Sequence, residues 1–211
     1  MASICVVTGR PRSFDRDDAV ARALEVFWRD GYRRASLTRL TERLEINPPS
    51  LYAAFGSKRE LFDEASALYA STFRLMFEER LAAPTARAGV ERLLQDFAAR
   101  RSQPGSPPTC MIFDEPLLAG ERAWARARIA ERIARGRDDG ESIDDDPDQL
   151  ADFIFTQMAG INARARDGAT SEELLSCAAV AMRAWPAREN LASPGRAVDR
   201  QDSHVDGAFS A

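Results

Sequence analysis

The chain has 211 residues, 45% hydrophobic and 29% charged, with a net charge of -4. That balance supports a packed core and argues against an intrinsically disordered chain. No run of about 18 apolar residues occurs, and Ile4-Cys5-Val6-Val7 is too short for a secretory core, so the expected setting is the cytoplasm, with no membrane partner.

Other mechanisms fall to the residue census. His204 is the only histidine, and Cys5, Cys110 and Cys177 are odd in number and far apart. Histidine-based triads, zinc sites and a disulfide framework are therefore disfavoured, and no catalytic residue, metal or cofactor is expected. Charge is uneven along the chain: residues 10–62 carry 11 basic and 8 acidic side chains, whereas residues 63–211 carry 18 and 25. A basic head on an acidic body is the pattern expected of a nucleic-acid reader.

Apolar residues recur at three- and four-residue spacing, which predicts an all-α fold. Residues 1–13 read as a flexible basic arm. A helix is expected over Asp15–Asp30, with Val20, Ala23, Leu24, Phe27 and Trp28 inward and Gly31 as its stop. A second starts at Ser36 and ends near Leu44, burying Leu37, Leu40 and Leu44. A third opens at Asn47-Pro48-Pro49 and ends at Phe55-Gly56, since Asn suits an N-cap and Pro the first helical position. Ser57-Lys58-Arg59-Glu60 has capping-box spacing for a fourth helix, through Leu61, Ala65, Leu68, Phe73 and Phe77 to about Leu81.

Further helices are expected over Arg87–Arg101, over Cys110–Leu118 as a short buried piece, and over Glu121–Arg137. Two apolar ones follow, over Pro147–Arg166 and Ser171–Trp185. Residues 14–62 thus form a three-helix head and residues 63–186 a larger helical bundle. Residues 187–211 lack periodicity and read as a disordered tail.

Helix, short helix, three-residue turn, short helix is the pattern of a helix-turn-helix. A helix of about 8 residues is too short for independent stability and must dock through few side chains. Leu51 and Phe55, four apart, supply that face and leave Pro49, Ser50, Tyr52 and Ala53 outward.

Gly31-Tyr32-Arg33-Arg34-Ala35-Ser36-Leu37 and the run from Ile46 to Phe62 resemble the TetR family of bacterial transcription regulators. The resemblance covers about residues 14–62. It implies a homodimeric, all-helical repressor whose head binds a palindromic operator in double-stranded DNA and whose body binds a small effector that releases it. By this resemblance Tyr52, Lys58 and Ser36 touch phosphates. Asn47, Pro48, Pro49, Ser50 and Ala53 meet base edges, and Arg39 reaches the same groove. Arg10 and Arg12 form an arm against the backbone or minor groove. At Leu44-Glu45-Ile46 the family usually carries Ala-Gly-Val, so Glu45 occupies a turn position that suits glycine.

In the body, Phe73, Phe77, Phe97, Cys110, Met111, Phe113, Trp124, Phe155 and Met158 are candidates for the wall of an apolar or aromatic effector pocket, against the plainer reading of core packing. Cys110 is either a sensing thiol at a helix start or a small buried hydrophobe. Phe153, Met158, Ile161, Leu174, Leu175 and Met182 form a stripe suited to a two-fold dimer. A second reading remains, a non-enzymatic helical adapter that binds a protein partner, favoured by Glu45 and the acidic body.

Overall fold

The computed structural model describes residues 15–101, 107 and 109–185. The arm with Arg10 and Arg12, most of the 103–108 loop and the tail with His204 lie outside the described residues, as does Cys5. Among the described residues all regular structure is helical.

Helix α1 (Arg16–Arg34) starts at Asp15, whose side chain accepts the N–H groups of Asp17 and Asp18. The expected stop at Gly31 is a kink instead: its φ of 74° and ψ of 160° leave the helical region, and the chain returns to helix as far as Arg34. Helix α2 (Leu37–Leu44) is capped by Ser36, and helix α3 (Pro48–Phe55) by Asn47 with Pro48 at the first helical position. Helix α4 (Lys58–Leu81) is capped by Ser57 and runs from the head into the body. It packs on α1.

Helix α5 (Ala86–Arg100) packs on α4, after which the chain differs from expectation. The piece foreseen over Cys110–Leu118 is split into α6 (Met111–Asp114) and a 3-10 turn over Pro116–Leu118. The physical reason is Pro116, whose ring disfavours helical backbone at Glu115 and leaves that residue extended. Helices α7 (Ala119–Asp138), α8 (Pro147–Arg166) and α9 (Ser171–Arg183) complete the bundle, with α9 lying on α5 and α8.

Buried apolar side chains from Ala19 to Trp185 connect into one cluster spanning head and body. The stripe expected to dimerise is corrected by this packing. Met158, Ile161, Leu174 and Met182 are buried within the chain itself, because α5, α8 and α9 already cover one another. Of that stripe Leu175 is exposed and Phe153 half-buried. Leu68 is exposed on α4.

Candidate nucleic-acid interface

The head is built on two short helices that cannot stand alone. Leu40 and Leu44 of α2 and Leu51 and Phe55 of α3 are buried with Phe27, Leu61 and Phe62. Phe27 meets Phe62 edge-on, with ring centroids 5.2 Å apart. Arg16 holds the far end of α3. Its guanidinium donates to the Ala54 carbonyl, lies 4.6 Å from the centre of the Phe55 ring and pairs with Glu64.

The turn between α2 and α3 comprises Glu45, Ile46 and Asn47. Glu45 has φ 57° and ψ 37°, the left-handed region, and is the only non-glycine residue with positive φ among those described. The turn is closed by the Ile46 N–H donating to the Thr41 carbonyl at 3.1 Å. Glu45 reaches Arg22 of α1, with Oε1 3.2 Å from Nη1.

With Leu51 and Phe55 inward, the opposite face of α3 is open. Pro48, Pro49, Ser50 and Ala53 are exposed, and Tyr52 keeps 45% of its surface in solvent. Asn47 is exposed too, but its Oδ1 accepts the Ser50 N–H at 2.8 Å, leaving the amide NH₂ to donate. Ser36 accepts the Arg39 N–H at 3.1 Å, which leaves its own O–H able to donate outward. Arg39 is less free than its position suggests, since its Nε lies 3.1 Å from Asp30 Oδ2. Lys58, at the start of α4, sits with Nζ 4.6 Å from the centre of the Tyr32 ring, and partial burial lowers its pKa from the usual 10.5.

Two residues that fix this head carry no local sequence signal. Arg16 is one. The other is Glu115, buried in the body, whose Oε2 accepts the Tyr32 N–H at 2.9 Å and whose Oε1 accepts the Leu117 N–H at 3.3 Å.

The residues expected to line an effector cavity are dispersed. Met111 borders a cleft of about 760 Å³ shared with Trp28, Glu115 and Arg166, and Phe73 borders a cavity of about 280 Å³ beside α1. Phe77, Phe97, Cys110 and Met158 are packed into the core. Phe155 stacks on Phe113 at 4.9 Å, and Trp124 carries the Arg74 guanidinium on its face. Cys110 caps the four-residue α6 without a side-chain capping bond, and its sulfur accepts the Tyr69 hydroxyl at 3.4 Å. Its burial matches the small-hydrophobe reading.

A short capped helix with an open outer face, docked through two residues behind a three-residue turn, defines a helix-turn-helix DNA-binding protein. The family profile described as bacterial regulatory proteins, tetR family, matches residues 19–65. The HTH-type transcriptional repressor BdcR of Escherichia coli (strain K12) is 33% identical over 186 residues, which cover 83% of this chain and 91% of that protein. The repressor ComR of the same organism is 28% identical over 195 residues, covering 84% and 92%. A solved structure of a cysteine mutant of the TetR family transcriptional regulator CifR, complexed with 26-bp double-strand operator DNA, is 42% identical. It superimposes with a TM-score of 0.79 over 84% of this chain and 100% of that one. The chain belongs to the TetR family and is a DNA-binding transcriptional regulator. No helix among the described residues is long and apolar enough to cross a membrane.

Proposed function

We propose that the protein is a ligand-responsive repressor that binds a palindromic operator as a homodimer and leaves it when a small effector binds the body. The open face of α3 carries this reading. The positive end of its dipole faces outward with short side chains at the tip, so a phosphate or a base edge can come close to that end, although Pro48 and Pro49 carry no N–H and the Ser50 N–H is held by Asn47. Pro48, Pro49, Ser50, Ala53 and the Asn47 amide meet bases. Tyr52, Lys58 and the Ser36 hydroxyl hold phosphates, and Arg39, on release from Asp30, reaches the groove that the base-reading residues enter. Arg10 and Arg12 act as the arm. The repressors BdcR and ComR and the operator-bound CifR support the assignment.

Dimerisation uses α9, where Leu175 and Val180 are exposed, together with the half-buried Phe153 of α8. Two heads set about 34 Å apart read paired half-sites, and the effector favours a body state in which that spacing is lost. The site of action is the cytoplasm, where bacterial DNA lies. Glu45 fits the turn in a left-handed conformation, so the feature favouring an adapter leaves the helix-turn-helix intact.

Gel-shift titration against the DNA upstream of the gene is the test. Sequence-preferring binding that weakens as salt rises is the expected result, and its absence removes the proposal. Tyr52→Ala weakens binding to every sequence, whereas changes at Ser50 alter which sequence is preferred.

A further inference from the structure

Arg101 follows the last residue of α5, and its side chain folds back over the Phe97 ring, with Cζ 4.8 Å from the ring centre. It is 8% exposed. Its Nε and Nη1 are buried and have no hydrogen-bond partner among the described residues, and no ion pair to Arg101 is found among them. Although the Tyr69 hydroxyl interacts with this guanidinium, burying it with two of its nitrogens short of acceptors is costly, so such a group calls for an explanation.

The surroundings supply one. Arg101 borders the cavity of about 280 Å³, whose wall is formed by Leu24 and Trp28 of α1 and by Leu68, Tyr69, Phe73 and Met76 of α4. Polar groups of that wall are already engaged: Tyr69 donates to Cys110, and the Thr72 hydroxyl donates to the Leu68 carbonyl at 3.4 Å. Burial, reinforced by Cys110 and opposed by Arg101, pushes the Tyr69 phenol well above its usual range and keeps it neutral. Arg100, at the exposed rim, pairs with Asp96. What remains is an apolar and aromatic chamber bordered by one buried cation, two of whose nitrogens, Nε and Nη1, have no hydrogen-bond partner among the described residues.

We propose that this cavity binds a small organic monocarboxylate, its apolar body against Trp28, Phe73 and Met76 and a carboxylate oxygen accepting from Arg101. A single guanidinium matches one negative charge, and the apolar wall disfavours a strongly hydrated dianion. The occupant touches α1 of the head together with α4 and the end of α5, so its presence bears on how the head is held. The assignment names the effector class of the regulator proposed above and rests on that reading for its role, although binding is measured without DNA.

The test is calorimetric titration of the full chain with phenylacetate and octanoate, each against its neutral amide, phenylacetamide and octanamide. At least one acid binds roughly tenfold or more tighter than its amide, as a charge-assisted hydrogen bond requires. Arg101→Gln removes that preference and leaves amide binding in place, and Arg101→Lys keeps part of it. Leu68→Trp, at an exposed wall position that does not threaten folding, fills the mouth and weakens acid and amide together. Binding of neither acid at millimolar concentration, equal binding of acid and amide, or a preference that survives in folded Arg101→Gln overturns the proposal. Gel shift keeps the two readings apart. Protein that binds acid but no operator retains the site and loses the regulator, and protein that binds operator but no acid does the reverse.

Discussion

The buried carboxylate of Glu115 accepts the backbone N–H of Tyr32, with Oε2 2.9 Å from that nitrogen. Gly31 leaves the helical conformation just before Tyr32, and the amide that follows turns to a residue 83 positions away in the body. Glu115 is extended because Pro116 follows it, so a proline in the body sets the carboxylate that holds the kink of the head. One buried acid thereby ties the orientation of the reading head to the segment between α6 and α7.

Glu115→Ala leaves the Tyr32 N–H without its charged acceptor. Loss of such a bond costs about 1.5–3 kcal/mol. The expected result is a lower urea midpoint and faster hydrogen exchange at the Tyr32 amide, with Glu115→Gln losing less because it keeps an acceptor oxygen. Unchanged exchange in Glu115→Ala would remove this tie between head and body.

Two of the three positive-φ positions of the head, Gly31 and Glu45, behave oppositely on substitution. At Gly31, a Cβ would meet Glu115 Oε2 at an ordinary 3.7 Å, so the penalty of Gly31→Ala comes from the backbone conformation and not from crowding. It is expected to cost about 1–3 kcal/mol. Glu45 holds left-handed backbone in the turn and its link to Arg22 is largely exposed, so Glu45→Gly is expected to stabilise by about 0.5–1 kcal/mol. Chemical denaturation of both variants checks the pair, and a loss of stability in Glu45→Gly contradicts the strain argument.

The helix-turn-helix was legible in the sequence because its signals are local. Ser36, Asn47 and Ser57 announce helix starts, Pro48 the first position and Gly56 an end, while Leu51 and Phe55 lie one turn apart and mark the buried face. Glu115, Arg16 and Arg101 were not legible, since each acts through contacts that periodicity does not encode. The supposed dimer stripe shows the same limit. Spacing identifies Ile161, Leu174 and Met182 as apolar-facing, but whether a second copy or the chain's own α5 covers them is decided by tertiary packing.

Lys58 gives a prediction in salt and pH. Its ammonium lies against the Tyr32 ring, and partial burial lowers its pKa. If it holds a phosphate, Lys58→Ala reduces the slope of log affinity against log salt by about 0.9. Lys58→Arg keeps the slope. Because the shift is downward, deprotonation comes at lower pH than for a free lysine, so wild-type DNA affinity falls on the alkaline side before that of Lys58→Arg. An identical salt slope in Lys58→Ala places Lys58 off the phosphate backbone.

Helix α9 opens with a reciprocal cap. Glu173 Oε2 accepts the Thr170 N–H at 2.7 Å and the Thr170 hydroxyl at 3.0 Å, and Thr170 Oγ1 accepts the Glu173 N–H at 3.3 Å. The backbone bond from Thr170, then its hydroxyl, holds the Glu173 carboxyl below its ordinary value of 4.5. A folded pKa lower than the unfolded one means that the stabilisation is present above the unfolded value and is lost as pH falls through the folded one. Glu173→Gln therefore lowers the urea midpoint at neutral pH, and the gap from wild type closes as the buffer is taken below the usual glutamate range. Since α9 packs on α5 and α8, the change is read in the cooperative unfolding of the body. A gap that stays constant with pH would show that the ionised carboxylate is not what steadies this helix.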